Sequence, residues 1–237
     1  MRYVTLDIET YYAQDYSLSS RGKNAMTMEE YINDPRFLLH GIGVKVNDGV
    51  SAWFTRKQFE ENLPRFRRLF KESACIAHNA PFDMAALAWH YECRFGLIVD
   101  TLSMARPVLG VEAGGSLAFL AKHFELGEKG RELIDTKGKR DLTVEELDTL
   151  GGYCINDVDL TWALFQKLKA GFPREEIAVI DRTIRMFVEP AFMGDVDRLK
   201  QFHLKEVMEK RRFLERMDAC KEDLQSNDKF AEILISL

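Results

Sequence analysis

The chain opens on an alternating pattern. Val4, Leu6 and Ile8 fall on one side of an extended segment, with Tyr3, Thr5, Asp7 and Glu9 on the other. This predicts a first strand with an apolar face and an acidic face. Residues 11–37 lose the period. They are polar and irregular apart from a helical patch at Met28–Ile32, and read as a long loop over the surface. Alternation returns over residues 40–54, where Asn47-Asp48-Gly49 supplies the turn of a hairpin. Apolar positions at Phe59, Leu63, Phe66, Leu69 and Phe70 have helical spacing, and Pro64 among them predicts a break into two short helices.

A short strand follows at Ala74–His78, then a helix with Pro81 in its first turn, then a strand at Phe95–Asp100. Helical spacing runs from Thr101 to Phe124 with an interruption around Gly110–Gly115. The charged, glycine-bearing stretch LGEKGRELIDTKGKRD reads as an exposed loop. Thr143-Val-Glu-Glu then has the form of a capping box and opens a helix through Lys169. Gly171-Phe172-Pro173 is the clearest break. Beyond it the pattern is helical at 174–188, about 198–224 and 229–237. The expected architecture is α/β: a mixed sheet flanked by helices over residues 1–172, and an all-helical C-terminal extension over 173–237.

Composition narrows the class. With 46% hydrophobic and 30% charged residues, the 237-residue chain is built to fold rather than to stay disordered. Carboxylates outnumber bases by 38 to 33, which leaves nucleic acid open as a partner, because a local basic groove can bind phosphate under a negative total. No apolar run approaches the ~18 residues of a membrane helix, so no membrane partner is expected. The start lacks the apolar core of a signal peptide. Cys75, Cys93, Cys154 and Cys220 show no CxxC spacing and no histidine at ligand distance along the chain. A disulfide framework and a structural zinc site are not indicated, and a reducing, cytoplasmic setting is expected.

Three small constellations carry possible chemistry. Asp7 and Glu9 share a strand face; adjacent carboxylates repel, so the pair suits a hard divalent cation, or else a solvated acidic face. Asp83 ends the string His78-Asn79-Ala80-Pro81-Phe82-Asp83 at a strand-to-helix junction, where ligands gather in open sheets and where a lone acid also complements a helix dipole. Tyr153 and Asp157 stand four apart on one face of a late helix, a spacing shared by ordinary surface pairs.

Taken in order, LDIET, HNAPFDM and YCINDVD resemble the three motifs of the DEDDy branch of the DnaQ-like 3′–5′ exonucleases, over roughly residues 1–170. VDTLSMARPVL and SLAFLAKHF are similar to the helices lying between the second and third motifs. The tail, DRTIRMFVEPAFMGDVDRL and DLQSNDKFAEILISL, resembles the connector from the proofreading domain into the thumb of phage-type family A DNA polymerases.

The resemblance implies a ribonuclease H-like fold and two divalent ions, Mg²⁺ or Mn²⁺. Asp7 would bridge both ions, Glu9 and Asp157 would complete the site that activates water, and Asp83 would hold the second ion. Tyr153 would orient the attacking water. Asn79 matches the family's substrate-contacting asparagine. From their positions beside the motifs, Thr10, Tyr11 and Phe82 are candidates to meet the substrate, with Tyr12 as a further ring and Phe82 equally a core residue. Lys129, Arg131, Lys137, Lys139 and Arg140 form a basic loop that reads first as solvated and second as a grip on a single strand. The histidines are expected to be structural or on the surface. The implied activity is removal of nucleoside 5′-monophosphates from single-stranded DNA 3′ ends, as the proofreading part of a polymerase or beside a polymerase domain or subunit, in a host cytoplasm if phage-encoded. Two other readings share much of the pattern: a ribonuclease of the ribonuclease D type, and a non-catalytic module that binds nucleic acid or a partner.

Overall fold

The computed structural model describes residues 1–18, 26–110, 112–127, 136–216 and 221–236. Five strands form one sheet: β1 (Tyr3–Thr10), β2 (Leu39–Val46), β3 (Ala52–Thr55), β4 (Ala74–Ala77) and β5 (Leu97–Asp100), in the order β3-β2-β1-β4-β5. The first three are a meander, since β1 pairs antiparallel with β2 and β2 with β3; β4 and β5 then run parallel to β1. The β2–β3 turn lies at Asn47-Asp48-Gly49, where Asn47 takes a left-handed φ of 49°.

Alternation along β1 divides the core into two. Val4, Leu6 and Ile8 enter one apolar cluster with Phe59, Phe66, Met84, Leu87 and Val188. On the opposite face Ile76 and Val99 meet Met104, Leu120, Leu164 and Phe165. β4 is buried along its whole length, as a parallel strand covered on both faces must be. The acidic face of β1 is therefore not a solvated one. Thr5 on that face is fully buried beneath helix α7 (Val144–Lys169), which packs on β1 and β2.

The helices before it follow local signals. Past α1 (Met28–Asn33), α2 (Arg56–Glu61) and α3 (Leu63–Lys71) are two helices because Pro64 sits in the first turn of the second. α4 (Pro81–Tyr91) also begins on its proline. α5 (Thr101–Leu109) and α6 (Leu117–His123) replace the single interrupted pattern, and α7 starts with the capping box at Thr143 and Glu146. The segment expected to be a surface loop is partly core. Tyr11, Tyr16 and Tyr31 are buried, with Tyr16 stacked on Tyr31 at 4.2 Å between ring centroids.

The first compact unit runs from Met1 to Pro190, past the expected boundary at residue 172. Helix α8 (Arg174–Val188) belongs to it for specific reasons. It buries Ile184 and Val188, and Asp181 Oδ1 accepts the Ile98 amide at 2.7 Å. Trp89 Nε1 donates to Val188 O at 2.9 Å, and Arg185 donates to Phe95 O at 2.7 Å. The Gly171-Phe172-Pro173 break is thus a turn within the unit rather than its edge. The second unit, Ala191–Leu237, contains α9 (Val196–Arg216), α10 (Lys221–Gln225) and α11 (Asn227–Ser236), and α9 buries none of its residues.

Candidate active site

β1, β4 and β5 deliver their carboxyl ends to the same edge of the sheet, the place where open α/β sheets gather ligands. Asp7 and Glu9 lie on β1 facing α7. Opposite them on β2 stand glycines, since Asp7 pairs with Gly43 and Glu9 with Gly41. A Cβ on Gly43 would lie 2.8 Å from Cys154 Sγ and 3.0 Å from Val158 Cγ2. The missing side chains let α7 settle directly onto the strands. That approach carries Cys154 Sγ to 3.3 Å from Asp7 Oδ2 and 3.4 Å from Asp7 O.

Cys154 is flanked on its helix by the other two expected residues: Tyr153, half-buried, and Asp157, buried one turn later. Burial, and then the negative charge of Asp7 and Glu9, push the thiol well above its ordinary pKa. It therefore stays protonated and donates to the Asp7 carboxylate. Donor atoms of Asp7, Glu9 and Cys154 all lie within 4.8 Å of one another, a spacing that one cation could span.

Asp83 reaches the cluster from the other side. β4 ends at Ala77, so the β1 amide at Ile8 has no β4 partner there. Asp83 Oδ1 accepts it instead, at 3.2 Å. This amide sits between Asp7 and Glu9. Burial first, and the nearby Asp7 carboxylate second, raise the Asp83 pKa well above the ordinary carboxylate range. Chain segments far apart in sequence thus bring Asp7, Glu9 and Cys154 together, with Asp83 on the amide between the two acids and Tyr153 and Asp157 beside Cys154 on α7. Buried acids that repel one another are unfavourable on their own and become favourable around a cation.

The expected substrate contacts divide. Asn79 forms the turn after β4 with φ of +64°, a conformation asparagine tolerates better than most residues. Thr10 Oγ1 lies 3.0 Å from Tyr31 OH, and Phe82 is half-buried with its ring 5.7 Å from that of Tyr31. Tyr11 departs from expectation: it is buried, stacked on Tyr16 at 5.8 Å, and covered by the Arg140 guanidinium at 5.0 Å. Its ring is part of the packing rather than a platform for a base; Tyr12, next to it, is exposed. Within the basic loop, Lys139 pairs with Glu146 at 2.6 Å and Arg140 donates to Arg36 O at 2.8 Å, so both are held by the protein. Lys129 and Arg131 lie outside the described residues. His78 is structural as expected, bridging Thr101 Oγ1 and Gly115 O at 2.9 Å each.

Two residues of the site were not singled out by sequence reasoning. Cys154 is one; only its position beside Tyr153 could have hinted at it. The other is Asp100, buried at the end of β5. Its Oδ1 accepts the amides of Asn79, Ala80 and Leu102 at 2.8, 3.2 and 3.2 Å. An aspartate directly before a helix is a cap signature, and that half of its work was readable.

Comparison with known proteins fixes the class. The chain belongs to the 3′–5′ exonuclease family, whose model matches residues 29–171, a span holding Asp83, Tyr153 and Asp157 and beginning after Asp7 and Glu9. It is 29% identical over 113 residues to the PolC-type DNA polymerase III of Staphylococcus aureus, a stretch covering 43% of this chain and 8% of that protein. The chain therefore spans less than a tenth of that relative's length. Among solved structures it resembles the catalytic core of RRP6 from Trypanosoma brucei, with TM-score 0.56 and 12% identity over 78% of this chain and 45% of that one. Brucella melitensis NrnC with bound Mg²⁺ gives TM-score 0.56 and 15% identity over 81% of this chain and 86% of that one. A family B DNA polymerase from Pyrobaculum calidifontis gives 0.53 and 19%, over 75% of this chain and 27% of that one. At these identities the likeness is one of fold: the mixed sheet flanked by helices of the ribonuclease H-like exonucleases.

Proposed function

We propose that this exonuclease domain hydrolyses single-stranded DNA from the 3′ end, releasing nucleoside 5′-monophosphates, as the proofreading part of a family A, phage-type DNA polymerase. The observation that supports the reading is the meeting of Asp7, Glu9 and Cys154 within 4.8 Å, with buried Asp83 on the Ile8 amide between the two acids and Tyr153 and buried Asp157 beside Cys154 on α7. This supports reading Asp7, Glu9, Asp83, Asp157 and Tyr153 as the DEDDy set. Asp7, Glu9, Asp83 and Asp157 would hold two Mg²⁺ or Mn²⁺ ions. When bound, such ions neutralise charge at the attacked phosphate and make water acidic enough to act as a nucleophile.

The protein's own groups do the rest. Tyr153 orients the attacking water through its hydroxyl, since a phenol near its usual pKa of ~10 is a poor base at neutral pH. The Cys154 thiol holds the Asp7 carboxylate in place from behind. Asn79, Thr10 and Phe82 border the acidic groups and contact the terminal nucleotide. The PolC-type relative and the polymerase-like tail support DNA and a polymerase partner; the fold likeness to RRP6 favours an RNA substrate as the second reading.

The experiment is cleavage of a 5′-labelled single-stranded DNA oligonucleotide beside its RNA twin, with Mg²⁺, with Mn²⁺ and with chelator. A metal-dependent ladder shortening from the 3′ end of DNA is the expected result. A ladder on RNA alone would move the protein to the ribonuclease branch. No ladder on either, from folded protein that binds metal, would make it a binding module.

A further inference from the structure

We infer that Asp100 is a positioning residue of the active site, which sets the place of Asp83 through the Asn79–Ala80 turn. The inference rests on the nuclease reading above and assigns that site a residue outside its expected carboxylate set.

Asp100 accepts five hydrogen bonds while almost completely removed from solvent. Oδ1 takes the Asn79, Ala80 and Leu102 amides at 2.8, 3.2 and 3.2 Å; Oδ2 takes Ser103 N at 3.1 Å and Ser103 Oγ at 2.6 Å. A cap needs only the α5 half of this set. The other half reaches 21 and 20 residues back to the turn between β4 and α4.

That turn has little local support. Asn79 has φ of +64°, and Ala80, the cap residue of α4, makes no side-chain hydrogen bond to the helix. α4 thus lacks a cap of its own, and its start is set by what grips the two preceding amides. Asp83 lies in its first turn and accepts the Ile8 amide, between Asp7 and Glu9. A continuous path runs from Asp100 through Asn79 and Ala80 to Asp83 and β1. A charged acceptor gripping two adjacent amides fixes a turn more firmly than a neutral one. Outer residues that orient metal-binding carboxylates commonly change metal affinity or activity by about 10–100-fold when replaced.

The test separates this role from mere stability. Asp100→Ser keeps a side chain able to cap α5 but is too short to reach Asn79 and Ala80. Asp100→Asn keeps a neutral Oδ1 for the turn and should fall between Asp100→Ser and the wild type. The control is Asp181→Asn, a carboxylate that also braces a backbone amide, Ile98 N at 2.7 Å, but beneath α8. Calorimetric titration with Mn²⁺, without substrate, gives the readout beside thermal melting and the 3′–5′ cleavage rate.

The expected result is a loss of Mn²⁺ affinity of about tenfold or more in Asp100→Ser, a smaller loss in Asp100→Asn, and none in Asp181→Asn despite a lowered Tm. Unchanged affinity in Asp100→Ser, or equal loss in Asp181→Asn, would overturn the inference. If Asp100→Ser does not fold, Asp100→Asn against wild type decides it, equal affinity counting against. Wild-type protein that binds Mn²⁺ without cleaving nucleic acid would sink the nuclease reading, and the Mn²⁺ titrations would still decide the role of Asp100.

Discussion

Cys154 Sγ lies 3.3 Å from Asp7 Oδ2, across a helix–strand contact that exists only because β2 carries glycine at position 43. The thiol ties α7 to β1, and Tyr153 and Asp157 stand on either side of it along the helix.

Gly43→Ala is therefore expected to push α7 off the sheet. Its Cβ would meet Cys154 Sγ at 2.8 Å. Overpacking of this kind costs about 1–3 kcal/mol. Cleavage should fall by about a hundredfold, because misplacement near 1 Å is enough for that. Chemical denaturation and cleavage rates check both. Adding Cys154→Ala should return part of the stability; a double variant no better than the sum of its parts would mean that the clash is not at the thiol.

Asp83→Asn should abolish cleavage and raise the stability of metal-free protein. The folded Asp83 pKa is raised by burial and by Asp7, so its ionised form destabilises the fold. That penalty is absent below the unfolded carboxylate value of about 4, grows as pH rises towards the folded value, and is constant above it. The variant keeps an oxygen for the Ile8 amide and loses the charge. A gain of about 1–3 kcal/mol at neutral pH, vanishing near pH 4, is expected in urea melts with chelator present. A destabilised variant at pH 7 would show that the hydrogen bond outweighs the repulsion.

Asp7→Ala and Tyr153→Phe should differ in kind. Without Asp7 the proposed cation site would lose a carboxylate, and cleavage should drop by at least about a thousandfold. Tm in chelator should hold or rise, because one member of a repelling cluster is gone. Tyr153→Phe leaves every carboxylate in place, and a loss of about a hundredfold with unchanged Mn²⁺ affinity is expected. Equal rate losses in the two variants would give Tyr153 more than an orienting role.

His40 supplies a pH signature distinct from the active site. It is buried on β2, its Nε2 lacks a hydrogen-bond partner among the described residues, and burial together with Arg56 and Arg140 holds its pKa down to about 4. The folded protein keeps the ring neutral, while the unfolded chain takes a proton below about 6.5. Stability from this group is complete above 6.5 and declines as pH falls towards 4, by about 1–3 kcal/mol. The difference in denaturation midpoint between wild type and His40→Gln, followed from pH 7 to pH 4, should shrink over that window. A constant difference would mean that His40 titrates in the fold as it does in the unfolded chain.

Much of this molecule follows from short-range rules. Alternation in β1, the Asn47-Asp48-Gly49 turn, the Pro64 break and the Thr143 capping box each act within a few residues, and the sequence alone determined them. The same holds for the order of acidic motifs, because residue type and spacing are properties of the chain. Tertiary structure decided what depends on contact between distant segments. Cys154 meets Asp7 across 147 residues, and Asp83 meets Ile8 across 75. Tyr11 reads as a surface aromatic until Tyr16 and Arg140 close over it. The end of the first unit moved from residue 172 to 190 because α8 is anchored by Asp181, Arg185 and Trp89 to β5 and α4. Periodicity identifies which side of a helix is apolar, but not which surface receives it. That choice is made by burial and by hydrogen bonds that form only once the sheet is assembled.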